Sequence, residues 1–128
     1  MKGIGVDLVK VERIADIIDT SGEKFLNKLF TKREILHHHS TSKRGGHDEY
    51  EYFASLFAAK ESIVKAFGIG WLGTKGTDIE IRQDSLGAPH AKLSGGLAKL
   101  ARRRGVRRIH LSLSSDSGYA VAACILDE

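Results

Sequence analysis

The sequence predicts an α+β fold in which a mainly antiparallel sheet packs against one long central helix. Three patterns predict it. Residues 2–9 alternate with period two, residues from about 48 to 67 carry apolar side chains at helical spacing, and two alternating runs joined by a turn close the chain. A chain of 128 residues fits one domain, 1–128, able to bury a core without disulfides, and no repeat, linker or second domain interrupts it.

In the first run, Ile4, Val6 and Leu8 alternate with Gly3, Gly5, Asp7 and Val9, giving a strand with one fully apolar face. Val11, Ile14, Ala15 and Ile18 then return at helical spacing, and Thr20-Ser21-Gly22 stops that helix. A short helix, EKFLNKLF, leads to Thr31-Lys32-Arg33-Glu34, whose capping-box pattern starts another. Residues 40–48 form a polar loop. The central helix runs from about Asp48 to Phe67 and is closed by Gly68 and Gly70. Residues 77–82 alternate as a strand, the turn 84–89 leads to a short strand near 90–93, and Ser94 caps a helix to about Arg104. RIHLSLS and YAVAACILD are the last two strands, joined by Ser115-Asp116-Ser117-Gly118.

Charges spread through the first twenty residues exclude a secretory signal, and no apolar run is long enough to span a membrane, so a soluble cytoplasmic protein without a membrane partner is expected. The single cysteine, Cys124, lies in an alternating apolar run as a small buried hydrophobe, which suits a reducing compartment. A net charge of +4 favours an anionic partner.

The central helix is the most informative element. Phe53, Leu56, Phe57, Ile63, Val64 and Phe67 form one apolar stripe with Lys60 at its centre. Burying an unpaired ammonium costs several kcal/mol, so Lys60 must reach water, pair with a carboxylate or meet an anion. Glu61 and Lys65, four residues apart, lie together beside the stripe, where Ala54 and Ala58 leave room for a guest. The plainer alternative is an amphipathic helix with a snorkelling lysine and an exposed ion pair contributing about 0.3–0.5 kcal/mol.

Asp7 projects from the glycine face of the first strand, into space that Gly3 and Gly5 leave open. It is either the N-cap of the following helix or a second carboxylate beside Glu61; with Lys60 and Lys65, the pair matches what a magnesium–pyrophosphate site needs. Ser112 and Ser114 share a strand face with His110, either the floor of a groove or a solvent face. Consecutive His37-His38-His39 cannot converge on one ion and read as a solvated helix. Arg102, Arg103, Arg104, Arg107 and Arg108 raise the rival of a small RNA-binding domain, but no aromatics interleave them for base stacking, so no nucleic-acid partner is expected.

Gly3-Ile4-Gly5-Val6-Asp7 with Arg13, then Phe30-Thr31 and Glu34, then FAAKESIVKAFG, and finally SLSSDSGYAVAACIL resemble the holo-[acyl-carrier-protein] synthases, in order across nearly the whole chain. The resemblance implies the 4′-phosphopantetheinyl transferase fold. It also implies magnesium-dependent transfer of 4′-phosphopantetheine from coenzyme A to a serine of an apo acyl carrier protein, releasing adenosine 3′,5′-bisphosphate. By the same resemblance Asp7 and Glu61 hold the metal, Lys65 binds phosphate oxygens, and Lys60 neutralises the same charge or braces Glu61. Glu61, or a water oriented by a carboxylate, accepts the serine proton. Members of this size are typically homotrimers with active sites between protomers. An acidic carrier protein would dock on a basic surface of the first helices, with Arg13 as the principal contact and Lys24 and Lys28 as helpers; Lys28 stands where the family commonly has arginine. Leu56 and Ser115 stand where the family usually has an arginine and a histidine near the nucleotide phosphates. Lys43, Arg44 and His47 on the preceding loop are the residues placed to compensate, with Ser112 and Ser114 on the coenzyme A side. A noncatalytic coenzyme A or nucleotide binder is the other reading of these departures.

Overall fold

The computed structural model describes residues 1–41, 47–71 and 73–128. Strand β1 (Gly3–Lys10) leads directly into α1 (Val11–Leu29), followed by α2 (Lys32–Thr41) and the long α3 (His47–Phe67). A 3₁₀ turn (Gly76–Asp78) introduces the hairpin β2 (Ile79–Gln83) and β3 (Pro89–Leu93). Helix α4 (Gly95–Arg103) and the hairpin β4 (Arg108–Asp116) and β5 (Tyr119–Asp127) complete the chain. The main sheet is antiparallel in the order β1-β5-β4, and β2-β3 form a separate two-stranded antiparallel sheet. The α+β class with antiparallel pairing is therefore the one the periodicities predict.

Local chemistry accounts for the junctions. Asp116 pairs with Tyr119, so the β4–β5 turn is Ser117-Gly118, both at positive φ (52° and 80°), the two-residue connection whose twist suits a hairpin. The stop expected at Gly22 is a kink inside α1: Gly22 takes φ 49° and ψ −127°, and helical turns continue on either side. Thr31 and Glu34 form the capping box, with Thr31 N–H donating to Glu34 Oε1 (2.8 Å) and Glu34 N–H to Thr31 Oγ1 (3.2 Å). Cys124 is fully buried, and burial pushes its thiol up to about 11, as befits a core residue.

Helix α3 lies across the inner face of the sheet, and the sequence explains how closely. Ala54, Ala58, Ser62 and Ala66, spaced by four, form a row of small buried residues. Opposite them stand the small inner-face residues Gly3, Gly5, Ala120, Ala122 and Cys124. A Cβ on Gly3 would lie 2.1 Å from the Ala66 carbonyl oxygen, and one on Gly5 would lie 2.0 Å from that of Ser62. The helix backbone therefore fills the space beside the glycines, which corrects the expectation of an opening there. Ala54 and Ala58 are likewise core contacts rather than clearance for a ligand.

This seating reverses the apolar face of β1. Only the glycine face admits a helix so near, so Ile4, Val6 and Leu8 point outward at 65 %, 60 % and 64 % exposure. On the neighbouring strand their partners Ile125, Ala123 and Val121 continue the same apolar surface.

Candidate active site

Lys60 is buried at 2 % exposure, and its ammonium is satisfied on every side. Nζ donates to Glu34 Oε1 (2.7 Å), the Leu29 carbonyl (2.7 Å) and the Gly76 carbonyl (2.9 Å). Of the three outcomes open to a lysine in a core stripe, this chain takes the carboxylate. Burial pulls the Lys60 pKa down, and the adjacent Glu34 charge opposes it. Glu34 itself is 1 % exposed, caps α2 through Oε1 and accepts the Ile81 amide at Oε2 (2.8 Å). The expectation that Lys60 binds coenzyme A or braces Glu61 is corrected: it ties α3 to α2 and the β2 region.

Asp7 is not an N-cap. Lys10 occupies that position without a side-chain cap, and Asp7 lies mid-strand, paired in register with Ala122. Its carboxylate meets Lys65 Nζ at 2.9 Å, and the same ammonium donates to the Val6 carbonyl at 3.3 Å. Asp7 is mostly enclosed, its side chain 13 % exposed, whereas that of Lys65 is 52 % exposed. Glu61 sits one helical turn before Lys65 on the same flank, its Oε1 accepting the indole N–H of Trp71 at 2.9 Å. Asp7, Glu61 and Lys65 are thus brought to one flank of α3. Among the described residues no three His, Cys, Asp or Glu side chains converge on one point. Two carboxylates beside an exposed cation fit a magnesium ion that completes its shell with substrate phosphate and water, and do not fit an all-protein cage.

The other expected residues lie elsewhere. Ser112 and Ser114 are exposed on the outer face of β4, opposite the face that carries Asp7. Ser114 lines a groove with Ser115, Glu51 and Tyr52, and Ser115 Oγ donates to the Glu51 carboxylate. Leu56 forms part of the neighbouring groove, of ≈ 620 Å³, between α2, α3 and the β2–β3 hairpin. With 3.6 residues per turn, Leu56 lies roughly 180° around α3 from Lys65. One chain therefore holds Asp7 and Glu61 on one flank of α3 and these two grooves on the other.

Arg13 is exposed on α1, its guanidinium 6.0 Å from the centroid of Phe57. Lys24 and Lys28 are exposed on the same helix beyond the kink at Gly22. Lys43 and Arg44 lie outside the described residues, and His47 is described only as the first residue of α3. The histidine run is not all solvated: His38 is 2 % exposed and stacked on Tyr52 at 5.0 Å between ring centroids. In the arginine cluster, Arg104 donates to the Phe67 carbonyl and Arg108 to the Glu128 carbonyl, so two of the five are engaged at the ends of other elements.

The family model of the 4′-phosphopantetheinyl transferase superfamily matches residues 3–124. A holo-[acyl-carrier-protein] synthase of Halothermothrix orenii is 39 % identical over 128 residues, covering 100 % of this chain and 98 % of the relative. The chain belongs to the holo-[acyl-carrier-protein] synthases. The crystal structure of the Neisseria meningitidis synthase superposes with a TM-score of 0.89 at 30 % identity, covering 100 % of this chain and 99 % of the other. The Helicobacter pylori synthase, crystallised with coenzyme A, gives a TM-score of 0.82 at 26 % identity over 97 % of this chain and 99 % of that one.

For this member of the synthases, two residues of the site region escaped the sequence reading. Trp71, the single tryptophan, orients Glu61 from just beyond the glycines that close α3, and its N–H donor was the available signal. Glu34 was legible as a cap but not as the buried partner of Lys60. The signal was Lys60 itself, since a lysine central to an apolar stripe demands an enclosed acid.

Proposed function

We propose that this chain transfers the 4′-phosphopantetheine arm of coenzyme A to the serine hydroxyl of an apo acyl carrier protein, releasing adenosine 3′,5′-bisphosphate. The observation that carries the reading is the 2.9 Å contact between Asp7 and Lys65 across β1 and α3, one turn from Glu61. Asp7 and Glu61 would hold a magnesium ion, which supplies positive charge against the pyrophosphate of the donor. The serine oxygen attacks the phosphorus bearing the pantetheine, and the bond from that phosphorus to the bridging oxygen breaks. Lys65, its side chain 52 % exposed, would turn from Asp7 to bind phosphate oxygens as charge grows on the departing bisphosphate. In this reading the serine proton passes to Glu61, one oxygen of which accepts the Trp71 indole N–H, or to a water that a carboxylate orients.

Assembly is part of the proposal. A donor that reaches both the groove and the carboxylates, on opposite flanks of α3, is best met by a groove from one protomer and carboxylates from another. The outward Ile4, Val6 and Leu8, continued by Ile125, supply a surface for a homotrimer. The exposed Arg13, with Lys24 and Lys28, offers positive charge to an acidic carrier protein. Among the described residues no helix is long and apolar enough to cross a membrane.

The test is to incubate the protein with coenzyme A, magnesium and an apo acyl carrier protein and to weigh the carrier. A gain of one phosphopantetheinyl group is expected from the wild type. Asp7→Ala and Glu61→Ala should each slow the gain by about 10²-fold or more. Failure to modify any of several acidic carriers, with coenzyme A binding intact, would instead identify a noncatalytic binder.

A further inference from the structure

We infer that Arg33 and Arg82 bind the 3′-phosphate of the coenzyme A donor in the groove beside Leu56, an inference that rests on the donor proposed above. The two guanidiniums come from different elements, α2 and β2, and converge on one carboxylate oxygen: Glu80 Oε1 lies 2.7 Å from Arg82 Nε and 3.9 Å from Arg33 Nε. Two cations against one anion leave a net positive charge at the groove mouth. Both arginines are accessible, with side chains 67 % and 37 % exposed, while the shared Glu80 is 17 % exposed. The buried end of the trio is thus the anion and the open end is the cations. Burial pushes the Glu80 carboxyl up, but contacts from Arg82, Thr31 and Arg33 outweigh it and hold the group below its ordinary range, so Glu80 competes as an anion for both guanidiniums.

The groove around them suits a nucleotide end. Its volume of ≈ 620 Å³ falls within the range of small-molecule sites. Leu56, Ile81, Leu113 and Tyr52 make an apolar wall for a flat base, and among the described residues no carboxylate lines it. A phosphate here would meet no acid positioned to hold a metal, so it needs cations, and arginine's planar fork binds phosphate through paired hydrogen bonds. The adjoining groove behaves oppositely. It is lined by Glu51, whose carboxylate accepts the Ser115 hydroxyl, and no arginine is among its described lining residues. The pyrophosphate is assigned to Asp7, Glu61 and Lys65, which leaves the 3′-phosphate as the donor's remaining anion.

The experiment compares calorimetric binding of coenzyme A and 3′-dephospho-coenzyme A, with magnesium, to the wild type, to Arg33→Ala/Arg82→Ala and to Glu80→Gln. The wild type should prefer coenzyme A by about tenfold to a hundredfold, the effect of charge-assisted bonds to one phosphate. The double variant should lose that preference while keeping wild-type affinity for the dephospho donor, a result that also shows its fold intact. Glu80→Gln, which frees both guanidiniums, should tighten coenzyme A alone. Retention of the wild-type preference in the double variant overturns the assignment, as does equal wild-type affinity for the two donors. A wild type that binds neither donor refutes the donor reading itself, a result distinct from both.

Discussion

At the scale of single residues, Glu34 and Lys60 show how a buried charge is made tolerable. Each oxygen of Glu34 has a partner, the cap and Lys60 on one and the Ile81 amide on the other, and Lys60 has three acceptors. Removing one member leaves the other in the core without its charge partner. Lys60→Met should therefore cost about 3–5 kcal/mol in urea unfolding, and Glu34→Gln/Lys60→Met should cost less than the sum of the single changes. Sequence reasoning found that Lys60 needed a partner but could not choose it, because Glu34 is 26 residues away and already had a local role as a cap. Trp71 makes a different prediction. Trp71→Phe keeps the ring and deletes the N–H that fixes Glu61, so transfer should slow by about tenfold with coenzyme A affinity unchanged, measured by single-turnover mass analysis and calorimetry.

At the scale of elements, the fit of β1 against α3 was only half legible. The period-two pattern located the strand, and Ala54 and Ala58 stood out as small residues, but the space beside Gly3 and Gly5 was read as an opening when the helix backbone fills it. Hydropathy measures what a side chain prefers, whereas here the absence of side chains at Gly3 and Gly5 decides which face a helix can approach. Gly5→Ala tests this directly. The added methyl would sit 2.0 Å from the Ser62 carbonyl oxygen, a main-chain atom unable to rotate aside, so a loss of about 3 kcal/mol or more is expected in thermal or urea unfolding. Ser117 and Gly118 illustrate the opposite case: the expected hairpin is present, with the four-residue turn read at 115–118 tightened to two because Ser115 and Asp116 pair as strand.

At the scale of the whole molecule, the outward apolar face of the sheet carries the assembly prediction. Val6→Glu, at a side chain 60 % exposed in one chain, should leave the protomer folded, shift sedimentation from trimer to monomer and abolish transfer; a monomeric wild type with full activity would contradict it. Acid should act through the carboxyls held below their ordinary range, Glu80 beside Arg82, Asp84 bonded to His90, and Asp127 bonded to the Glu128 amide. Their folded pKa values lie below the unfolded ones, so the unfolded chain binds more protons in that interval. Their contribution is present above about pH 4.3 and is lost as pH falls through the folded values, which urea midpoints measured from pH 6 to pH 3 would follow. The motifs made the family legible across the chain. They could not reveal that the serine face and the acidic flank lie apart, since that separation is set by where α3 crosses the sheet.

The seam of small residues between β1 and α3 also bears on how accurately the reaction can be aligned. Because strand and helix touch through main-chain atoms, the offset between the backbones that carry Asp7 and Lys65 is set by peptide geometry, and only the Lys65 side chain is left to adjust. Positional error of a few tenths of an ångström, which flexible packing would admit, is largely removed before any substrate arrives. The glycines of the first strand thus act as a gauge, and a substitution that thickened the seam would misalign the reacting groups even in a protein that still folded.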